Sequence, residues 1–280
     1  MENLPVRLIA MDMDGTLLND DCNISEDNVM AMREAVEAGI HLAIVSGRAP
    51  EDISYFMSDA GFTDCFVVGL NGGYCLDKPH GEAIFTQYMN DGDVKKCIEI
   101  LEAEHVTYSA FGRSHIAISR PFLTGEDLDH WGTHLARKGH LLYTYGMDGI
   151  NMQRALGTNK FVYIDREDQV RLARIRGKIE KMPGVLVTSS WINNIEIMPK
   201  GVHKGTALAA LASRLHIDNS QVMAIGDNDN DIPMLAWAGI GVAMSNASQG
   251  AKEAAEFETD DNENAGVAKA IRRFALGKNM

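Results

Sequence analysis

The sequence contains little cysteine, since only four cysteines occur among its 280 residues. They are Cys22, Cys65, Cys75 and Cys97, and no Cys-x-x-Cys pair or paired histidine gives them the spacing of a zinc site. We therefore expect plain thiols rather than disulfides or metal ligands.

Long apolar runs are also missing, because none approaches the roughly 18 residues that a membrane-spanning helix needs. The N-terminal stretch Met1-Glu-Asn-Leu-Pro5 lacks the basic and apolar regions of a signal peptide. We expect no membrane partner and a cytoplasmic location. Hydrophobic residues nevertheless make up 45% of the chain and charged residues 23%, which is typical of a packed globular protein.

Positive charge is scarce, with 26 Lys and Arg against 39 Asp and Glu and a net charge of -13. The phosphate backbone of nucleic acid repels such a chain, so we expect no nucleic-acid partner. The positive charge is unevenly distributed, because residues 85–193 contain 14 Lys and Arg against 13 Asp and Glu, whereas the remainder contains 12 against 26. A shift of this kind is typical of an inserted domain, although surface charge that drifted for solubility is an alternative explanation.

Two acids follow the first apolar run of the chain. Residues 8–11, Leu-Ile-Ala-Met, predict a strand buried on both faces, and Asp12 and Asp14 come directly after it. Alternate residues of a strand point the same way, so the two carboxylates face one pocket if the strand continues that far. Crowded carboxylates favour a bound Mg²⁺ and phosphoryl transfer, with one Asp attacking phosphorus. A turn with solvated acids is the alternative.

Polar residues also end the next two predicted strands. A helix and a second apolar run at residues 40–45 predict a right-handed parallel crossover, which places Ser46-Gly-Arg48 beside Asp12. The Ser46 hydroxyl and the loop amides are suited to phosphate oxygens, although a Ser-Gly turn is also an ordinary connection. A third strand at residues 65–70 ends at Asn71, which either touches substrate or shapes the turn.

From about residue 85 the pattern changes to helices mixed with several strands. Apolar spacing predicts helices at 94–101, 128–135 (Leu128, Trp131 and Leu135) and 172–182, and strands at 106–111, 115–119, 160–164 and 185–190. A hairpin around Gly112 suggests an α+β layer rather than more parallel sheet. We expect the parallel sheet to resume near Asn194.

A second acidic strand end lies near the C-terminus. Residues 222–225 predict a buried strand, and Gly226-Asp-Asn-Asp-Asn-Asp231 follows it. The spacing of these acids also begins a calcium loop, but no Gly stands at 232 and no Glu at the closing position. Asp227 and Asp12 form a Mg²⁺ site if strand order brings them together. Lys204 opens an earlier predicted helix, where it either neutralises phosphate or lies in solvent.

These motifs together resemble a known superfamily. In order and spacing, Asp12-Met-Asp14-Gly-Thr16, Ser46-Gly-Arg48, Lys204 and Gly226-Asp-x-x-Asn230-Asp231 resemble the four signature motifs of the haloacid dehalogenase superfamily. The insertion and the segment before Lys204 are similar to the Cof-type phosphatases of type IIB. The resemblance implies an α/β fold, with a Rossmann-like doubly wound parallel sheet as core in residues 1–84 and 194–280 and an inserted α+β cap in residues 85–193.

The resemblance also implies a role for each matching residue. Asp12 is implied as nucleophile and metal ligand, Asp227 as metal ligand, and Asp14 as general acid, then general base, with its backbone carbonyl on the metal. The residues implied to bind phosphate or substrate are Ser46, Gly47, Lys204 and Asn230. Those implied to support them are Thr16, Arg48, Asn71 and Asp231.

We therefore expect a Mg²⁺-dependent phosphatase that hydrolyses small phosphorylated metabolites such as sugar phosphates through an aspartyl phosphate, with a cap that closes over the pocket. A phosphomutase and a slowly hydrolysing phospho-aspartate sensor are the alternatives, and a sensor has no need of Asp14. A nucleotide-binding oxidoreductase is disfavoured because Gly-x-Gly-x-x-Gly does not follow the first strand. The sequence does not distinguish a monomer from a homodimer, or Mg²⁺ from Mn²⁺.

Overall fold

The structure is a computed structural model that describes residues 5–120 and 141–278, so the helix predicted at 128–135 lies outside the described residues. The strands are β1 (Leu8–Met11), β2 (His41–Val45), β3 (Phe66–Gly69), β4 (Tyr74–Leu76), β5 (Ala83–Thr86), β6 (Tyr108–Phe111), β7 (His115–Ile118), β8 (Leu142–Tyr145), β9 (Lys160–Ile164), β10 (Val185–Thr188), β11 (Asn194–Pro199), β12 (Val222–Gly226), β13 (Ile240–Ala243) and β14 (Phe257–Glu258). The helices are α1 (Glu26–Glu37), α2 (Pro50–Asp59), α3 (Asp91–Ala103), α4 (Gly146–Leu156), α5 (Gln169–Ile179), α6 (Lys204–Arg214), α7 (Ile232–Trp237), α8 (Gln249–Ala254) and α9 (Gly266–Ala270), which a π-helical turn at Ile271–Ala275 continues.

In the part of the chain that the structure describes, the first sheet has eight strands in the order β14-β13-β12-β1-β2-β3-β4-β5. All pairs from β14 to β3 are parallel, whereas β4 and β5 add an antiparallel edge. Apolar residues of α1, α2 and α9 pack on one face of this sheet, and those of α6, α7 and α8 pack on the other. The predicted α/β fold with helices on both sides of a parallel sheet is therefore confirmed.

Strand β1 occupies the middle of the first sheet, and all four of its residues are fully buried. Leu8 and Ala10 belong to the hydrophobic cluster on one face, and Ile9 and Met11 belong to the cluster on the other. A central parallel strand has no solvent-facing side, which explains why this segment is an unbroken apolar run.

Within the described residues, the second sheet has six strands in the order β10-β11-β9-β6-β7-β8. Its pairs are antiparallel except for β7 with β8, and β6 and β7 form the predicted hairpin, in which Gly112 N donates to His115 O at 2.9 Å. Apolar residues of α3 and α5 pack on this sheet in one cluster. The α+β pattern predicted for the middle of the chain agrees with this arrangement. No helix within the described ranges is both long enough and apolar enough to cross a bilayer.

The return to the first sheet comes later than the sequence indicates. Strand β11 begins at Asn194 but pairs antiparallel with β9 and β10, so the prediction that the parallel sheet resumes near Asn194 is wrong. Ile195 and Ile197 are buried against the helices of the second sheet, and an apolar run of this kind fits either sheet. At the other end, β5 extends the first sheet to Thr86, close to the predicted change at residue 85. The division into core and cap domains itself stays a prediction.

Strand order brings the two acidic strand ends together. Strand β1 lies between β12 and β2, and Met11 is in register with Ile225 on one side and Ile44 on the other. Asp12 N also donates to Ile225 O at 3.0 Å. The loops that follow these three parallel strands therefore meet at one edge of the sheet.

The side chain of Asn28 ties distant parts of the chain together. It is fully buried on α1, where Nδ2 donates to Leu17 O at 3.3 Å and Oδ1 accepts from Ala268 N at 2.9 Å. Both partners are backbone groups of other segments, so the side chain links the loop after β1 to α9.

We expect Asn28→Ala to lower the free energy of unfolding by about 2 kcal/mol, because it leaves a buried carbonyl and a buried amide without partners. Urea denaturation measures this loss. Glu37→Ala, on the exposed part of the same helix, is the control and should change stability by less than about 0.5 kcal/mol. Equal effects of the two substitutions would contradict the structural role of Asn28.

Candidate active site

A buried lysine joins two of the predicted acids. Lys204 begins α6, its side chain is fully buried, and its Nζ lies 2.7 Å from Asp12 Oδ1 and 2.6 Å from Asp231 Oδ1. Burial alone would lower the pKa of Lys204, but the two carboxylates raise it above its usual value. The site therefore contains a permanent cation that contacts Asp12 directly.

Asp231 fixes the loop after β12. Its Oδ1 accepts from Lys204, and its Oδ2 accepts from the backbone amides of Asp227 at 3.1 Å and Asn228 at 3.0 Å. Both carboxylate oxygens are thus engaged within the protein. The arrangement holds the loop and the lysine in place, which is the supporting position that the resemblance implies for Asp231.

The carboxylate of Asp227 lies against Gly15 and Thr16, two adjacent residues of the motif that begins at Asp12. Its Oδ1 accepts from Thr16 Oγ1 at 2.6 Å, and its Oδ2 lies only 2.6 Å from the position that a Cβ on Gly15 would take. Burial, followed by the charge of Asp231, raises the pKa of Asp227 to about 7. Burial and Asp231 likewise raise the pKa of Asp12 well above its ordinary value, although Lys204 opposes them.

The acids form an all-oxygen cluster that fits a divalent cation. One oxygen from each of Asp12, Asp227 and Asp231 lies within 4.8 Å of the others. Burial, and after it the neighbouring carboxylates, raise the pKa values of Asp12 and Asp227, so a bound cation would stabilise their ionised forms, and oxygen ligands of this kind suit Mg²⁺. Because Asp231 is already engaged at both oxygens, Asp12 and Asp227 are the better candidates for direct ligands.

Asp14 differs from Asp12 in its surroundings. Strand β1 ends at Met11, before either acid, so an extended strand does not carry them as the sequence suggested. Both nevertheless line the same cavity. The Asp14 side chain is 55% exposed and accepts from Arg48 Nε at 2.8 Å and Nη2 at 2.6 Å. Asp14 is therefore a surface acid held by arginine, and its side chain lies outside the cluster of three carboxylates.

The loop after β2 is closed by hydrogen bonds. Ser46 is buried, its Oγ accepts from Arg48 N at 3.3 Å, and its carbonyl accepts from Asn71 N at 3.0 Å. Asn71 has a left-handed backbone, which asparagine tolerates, with φ of 56°. Its Oδ1 accepts from Asn230 Nδ2 at 3.3 Å. The structure thus brings Ser46, Asn71 and Asn230 together.

Two charged residues of the second sheet reach the same loops, and no motif pointed to them. Lys160 Nζ donates to Gly47 O at 2.7 Å and to Glu196 Oε2 at 3.2 Å, and Asn71 Nδ2 also donates to Glu196. Lys160 is only 3% exposed. A lysine that starts an otherwise apolar predicted strand was the one signal in the sequence, and it gave no indication of its partners.

A cavity of about 410 Å³ opens between the two sheets. From the first sheet and its loops, the lining includes Asp12, Asp14, Ser46, Gly47, Arg48 and Asn230; from the second sheet and its loops, it includes Phe111, Ile116, Lys160, Val162, Ile164, Ser190, Trp191, Asn194 and Glu196. Thr16, Lys204, Asp227 and Asp231 lie behind this surface in contact with one another or with Asp12. A small metabolite fits a space of this size.

Comparisons with known proteins agree with this geometry. The sequence profile of the haloacid dehalogenase-like hydrolases matches residues 9–271. The chain is 30% identical over 275 residues to the 5-amino-6-(5-phospho-D-ribitylamino)uracil phosphatase YcsE of Bacillus subtilis, and the match covers 98% of each chain. A solved haloacid dehalogenase-like hydrolase of B. subtilis is 27% identical, with a TM-score of 0.85 over 96% of this chain and 100% of that one. The HAD subclass IIB sugar phosphatase BT4131 is similar in fold, with a TM-score of 0.82 at 21% identity over 97% of this chain and 100% of that one.

We expect Gly15→Ala to reduce catalysis more than it reduces stability. Gly15 has φ of +76°, and the added methyl group would collide with Asp227 Oδ2 and displace this carboxylate. The value of kcat/KM for p-nitrophenyl phosphate should fall at least about tenfold, as for other losses of a positioned charge.

Gly39→Ala is the matched control, because Gly39 also has a positive φ, of +81°, but nothing lies within 4 Å of the position of its Cβ. Both substitutions should lower the melting temperature, since both strain the backbone. An equal loss of activity in the two variants would contradict the role assigned to the contact between Gly15 and Asp227.

Proposed function

The chain belongs to the haloacid dehalogenase-like hydrolases of the Cof type and is a phosphoric monoester hydrolase, and from this premise we propose that it hydrolyses sugar phosphates and related small metabolites by way of an aspartyl phosphate on Asp12, with Mg²⁺ as cofactor. A cytoplasmic location, predicted from the sequence, is part of the same proposal.

The observation that carries this proposal is the position of Asp12. It lies at the end of a central parallel strand, 2.7 Å from the buried cation of Lys204, next to Asp227 and on the wall of a cavity. Only the ionised form of Asp12 attacks phosphorus, and its raised pKa disfavours that form. Lys204 and a divalent ion would together balance the negative charge and so stabilise the carboxylate.

The reaction consists of two displacements at phosphorus. In the first, an oxygen of Asp12 forms a bond to phosphorus, the ester P–O bond breaks, and the departing oxygen takes a proton from Asp14. In the second, water attacks the phosphorus, Asp14 takes its proton, and the bond to Asp12 breaks to release inorganic phosphate. The Ser46 hydroxyl would hold a phosphoryl oxygen, and Lys204 would neutralise negative charge from behind Asp12, so positioning and charge neutralisation supply most of the catalysis.

Asp14 suits the role of the acid and base because it is the exposed member of the first motif. In the structure its carboxylate accepts two hydrogen bonds from Arg48, the arrangement expected of the ionised form that accepts a proton from water. The protonated form that the first step needs gives up at least one of these contacts. Arg48 therefore assists the second displacement, in which Asp14 acts as the base, more than the first, in which Asp14 acts as the acid.

Mg²⁺, held by Asp12 and Asp227, would supply positive charge to the phosphoryl oxygens in both steps. The all-oxygen cluster and the raised pKa values of two of its acids support a hard divalent ion at this position.

The preference for sugar phosphates has support from a relative and from the cavity. The relative YcsE is by name a phosphatase of 5-amino-6-(5-phospho-D-ribitylamino)uracil, a phosphate ester of a sugar alcohol. A cavity of about 410 Å³ has room for a leaving group of that class. A phosphomutase would use the same nucleophile, and an absolute requirement for a bisphosphate would indicate that alternative.

We expect Asp12→Asn to abolish turnover of p-nitrophenyl phosphate while the melting temperature stays close to that of the wild type or rises. The substitution removes the nucleophile, but it keeps the size of the side chain and relieves the repulsion from Asp227 and Asp231. Phosphate release and thermal unfolding measure the two quantities. Turnover within about tenfold of the wild type would refute Asp12 as nucleophile.

Removal of divalent ions is expected to stop the reaction. Treatment with EDTA should reduce the rate at least about a hundredfold, because the phosphoryl charge is then left to Lys204 and the hydroxyl alone. Addition of Mg²⁺ should restore the rate, and a parallel titration with Mn²⁺ compares the two ions. A rate that chelation leaves unchanged would contradict the metal site.

A further inference from the structure

The second sheet presents one row of side chains to the cavity. Lys160, Val162 and Ile164 alternate along β9 and all three line the space above the acids. Lys160 is the member nearest the phosphate-binding residues, because its Nζ contacts the carbonyl of Gly47, which follows Ser46. A group bound at Lys160 would therefore belong to the part of the substrate close to phosphorus.

Three of the other polar residues on this wall already form hydrogen bonds within the protein. Ser190 Oγ donates to Glu196 Oε1 at 2.6 Å and accepts from Asn194 Nδ2 at 3.0 Å. Asn194 Oδ1 accepts from the backbone amides of Ser190 and Trp191. Glu196 accepts at both oxygens, at Oε1 from Ser190 and Asn194 and at Oε2 from Asn71 and Lys160. These three side chains hold one another in position.

Lys160 has a donor to spare. An ammonium group carries three N–H donors, and within the described part of the chain its Nζ meets two acceptors, Gly47 O and Glu196 Oε2. The centroid of the Phe111 ring lies 5.3 Å from Lys160 Nζ. The third donor is available to an oxygen of a ligand in the cavity.

The charge around Lys160 favours a neutral oxygen. Burial alone would raise the pKa of Glu196, but Lys160 and the hydrogen bonds lower it, so the two residues form an ion pair without net charge. Among the described residues of the cavity wall, acidic side chains also outnumber basic ones: the acids are Asp12, Asp14, Asp20, Asp52 and Glu196, and the bases are Arg48 and Lys160. A second anionic group on the substrate would meet this excess of negative charge.

We propose that Lys160 is a specificity-determining residue, which donates a hydrogen bond to a neutral oxygen of the leaving group and so selects polyol and sugar phosphates over alkyl phosphates and over sugar phosphates with a second anionic group. Glu196 is the positioning residue that holds the ammonium. The inference rests on the proposed phosphatase activity and adds to it the residue that recognises the substrate.

Three phosphates with the same six-carbon chain test this inference in the complete protein with Mg²⁺. Hexyl phosphate has no hydroxyl, sorbitol 6-phosphate has neutral hydroxyls, and 6-phosphogluconate adds a carboxylate. The wild type should show the highest kcat/KM for sorbitol 6-phosphate. Lys160→Met should lower the ratio of kcat/KM for sorbitol 6-phosphate to kcat/KM for hexyl phosphate by about 10- to 100-fold, the range for a lost hydrogen bond to a charged group. The value of kcat/KM for hexyl phosphate itself should change less than about threefold.

Lys96→Met, on the exposed part of α3, is the matched control and should leave the ratio unchanged. Because Lys160→Met leaves Glu196 buried without its cation, the double variant Lys160→Met/Glu196→Gln removes both charges and should lower the ratio in the same way. A folded Lys160 variant that keeps the ratio of the wild type, or that loses activity toward all three substrates equally, would overturn the inference.

p-Nitrophenyl phosphate separates the two possible failures. Its hydrolysis by the wild type, without any preference for sorbitol 6-phosphate over hexyl phosphate, would refute the role of Lys160 and leave the phosphatase proposal intact. No hydrolysis of any of the four phosphates would instead refute the proposed function, and the inference with it.

Discussion

The contact of Lys204 with Asp12 and Asp231 is the interaction on which the rest of the site depends. Lys204 lies 2.7 Å from Asp12 and 2.6 Å from Asp231, so removal of its charge would leave two carboxylates uncompensated away from water, whereas neutralising Asp12 leaves Lys204 paired with Asp231. Asp12 follows β1, Asp231 follows its neighbour β12, and Lys204 begins α6, so the contact requires the strand order of the first sheet. Fold and chemistry are therefore linked by the same three residues.

The two sheets contribute different properties to the cavity. The loops of the first sheet carry the acids, the hydroxyl and the cation that we propose to act on phosphorus, whereas the second sheet and its loops contribute an apolar wall with a few polar residues, among them Lys160. The two are joined by hydrogen bonds from Lys160 to Gly47 and from Asn71 to Glu196. The proposed recognition of the leaving group by Lys160 would thus be connected to the loop that holds Ser46. Substitutions in the second sheet would then change the preferred substrate without changing the reaction.

The sequence predicted the parts of the site that depend on local pattern. The apolar run before Asp12 and the crossover to Ser46 indicated the central strands, because a buried parallel strand and its connection have few alternatives. Strand β11 was assigned to the wrong sheet, because an apolar run that includes Ile195 has the same sequence pattern whether the helices of the first or of the second sheet cover it. Lys160 was missed for a different reason. Its partners Gly47 and Glu196 come from distant parts of the chain, and only the folded structure brings them together.

Gly15 illustrates why a short motif can require a residue that does no chemistry. The strand ends at Met11, so Asp12 and Asp14 owe their different surroundings to the turn that follows, in which Gly15 has φ of +76°. A backbone with that angle disfavours any side chain, but the stronger constraint comes from Asp227, whose Oδ2 lies where a Cβ would be. The glycine thus leaves room for a carboxylate from the other end of the sequence, and Asp227 reaches the side of Asp12 because nothing projects from the chain between them.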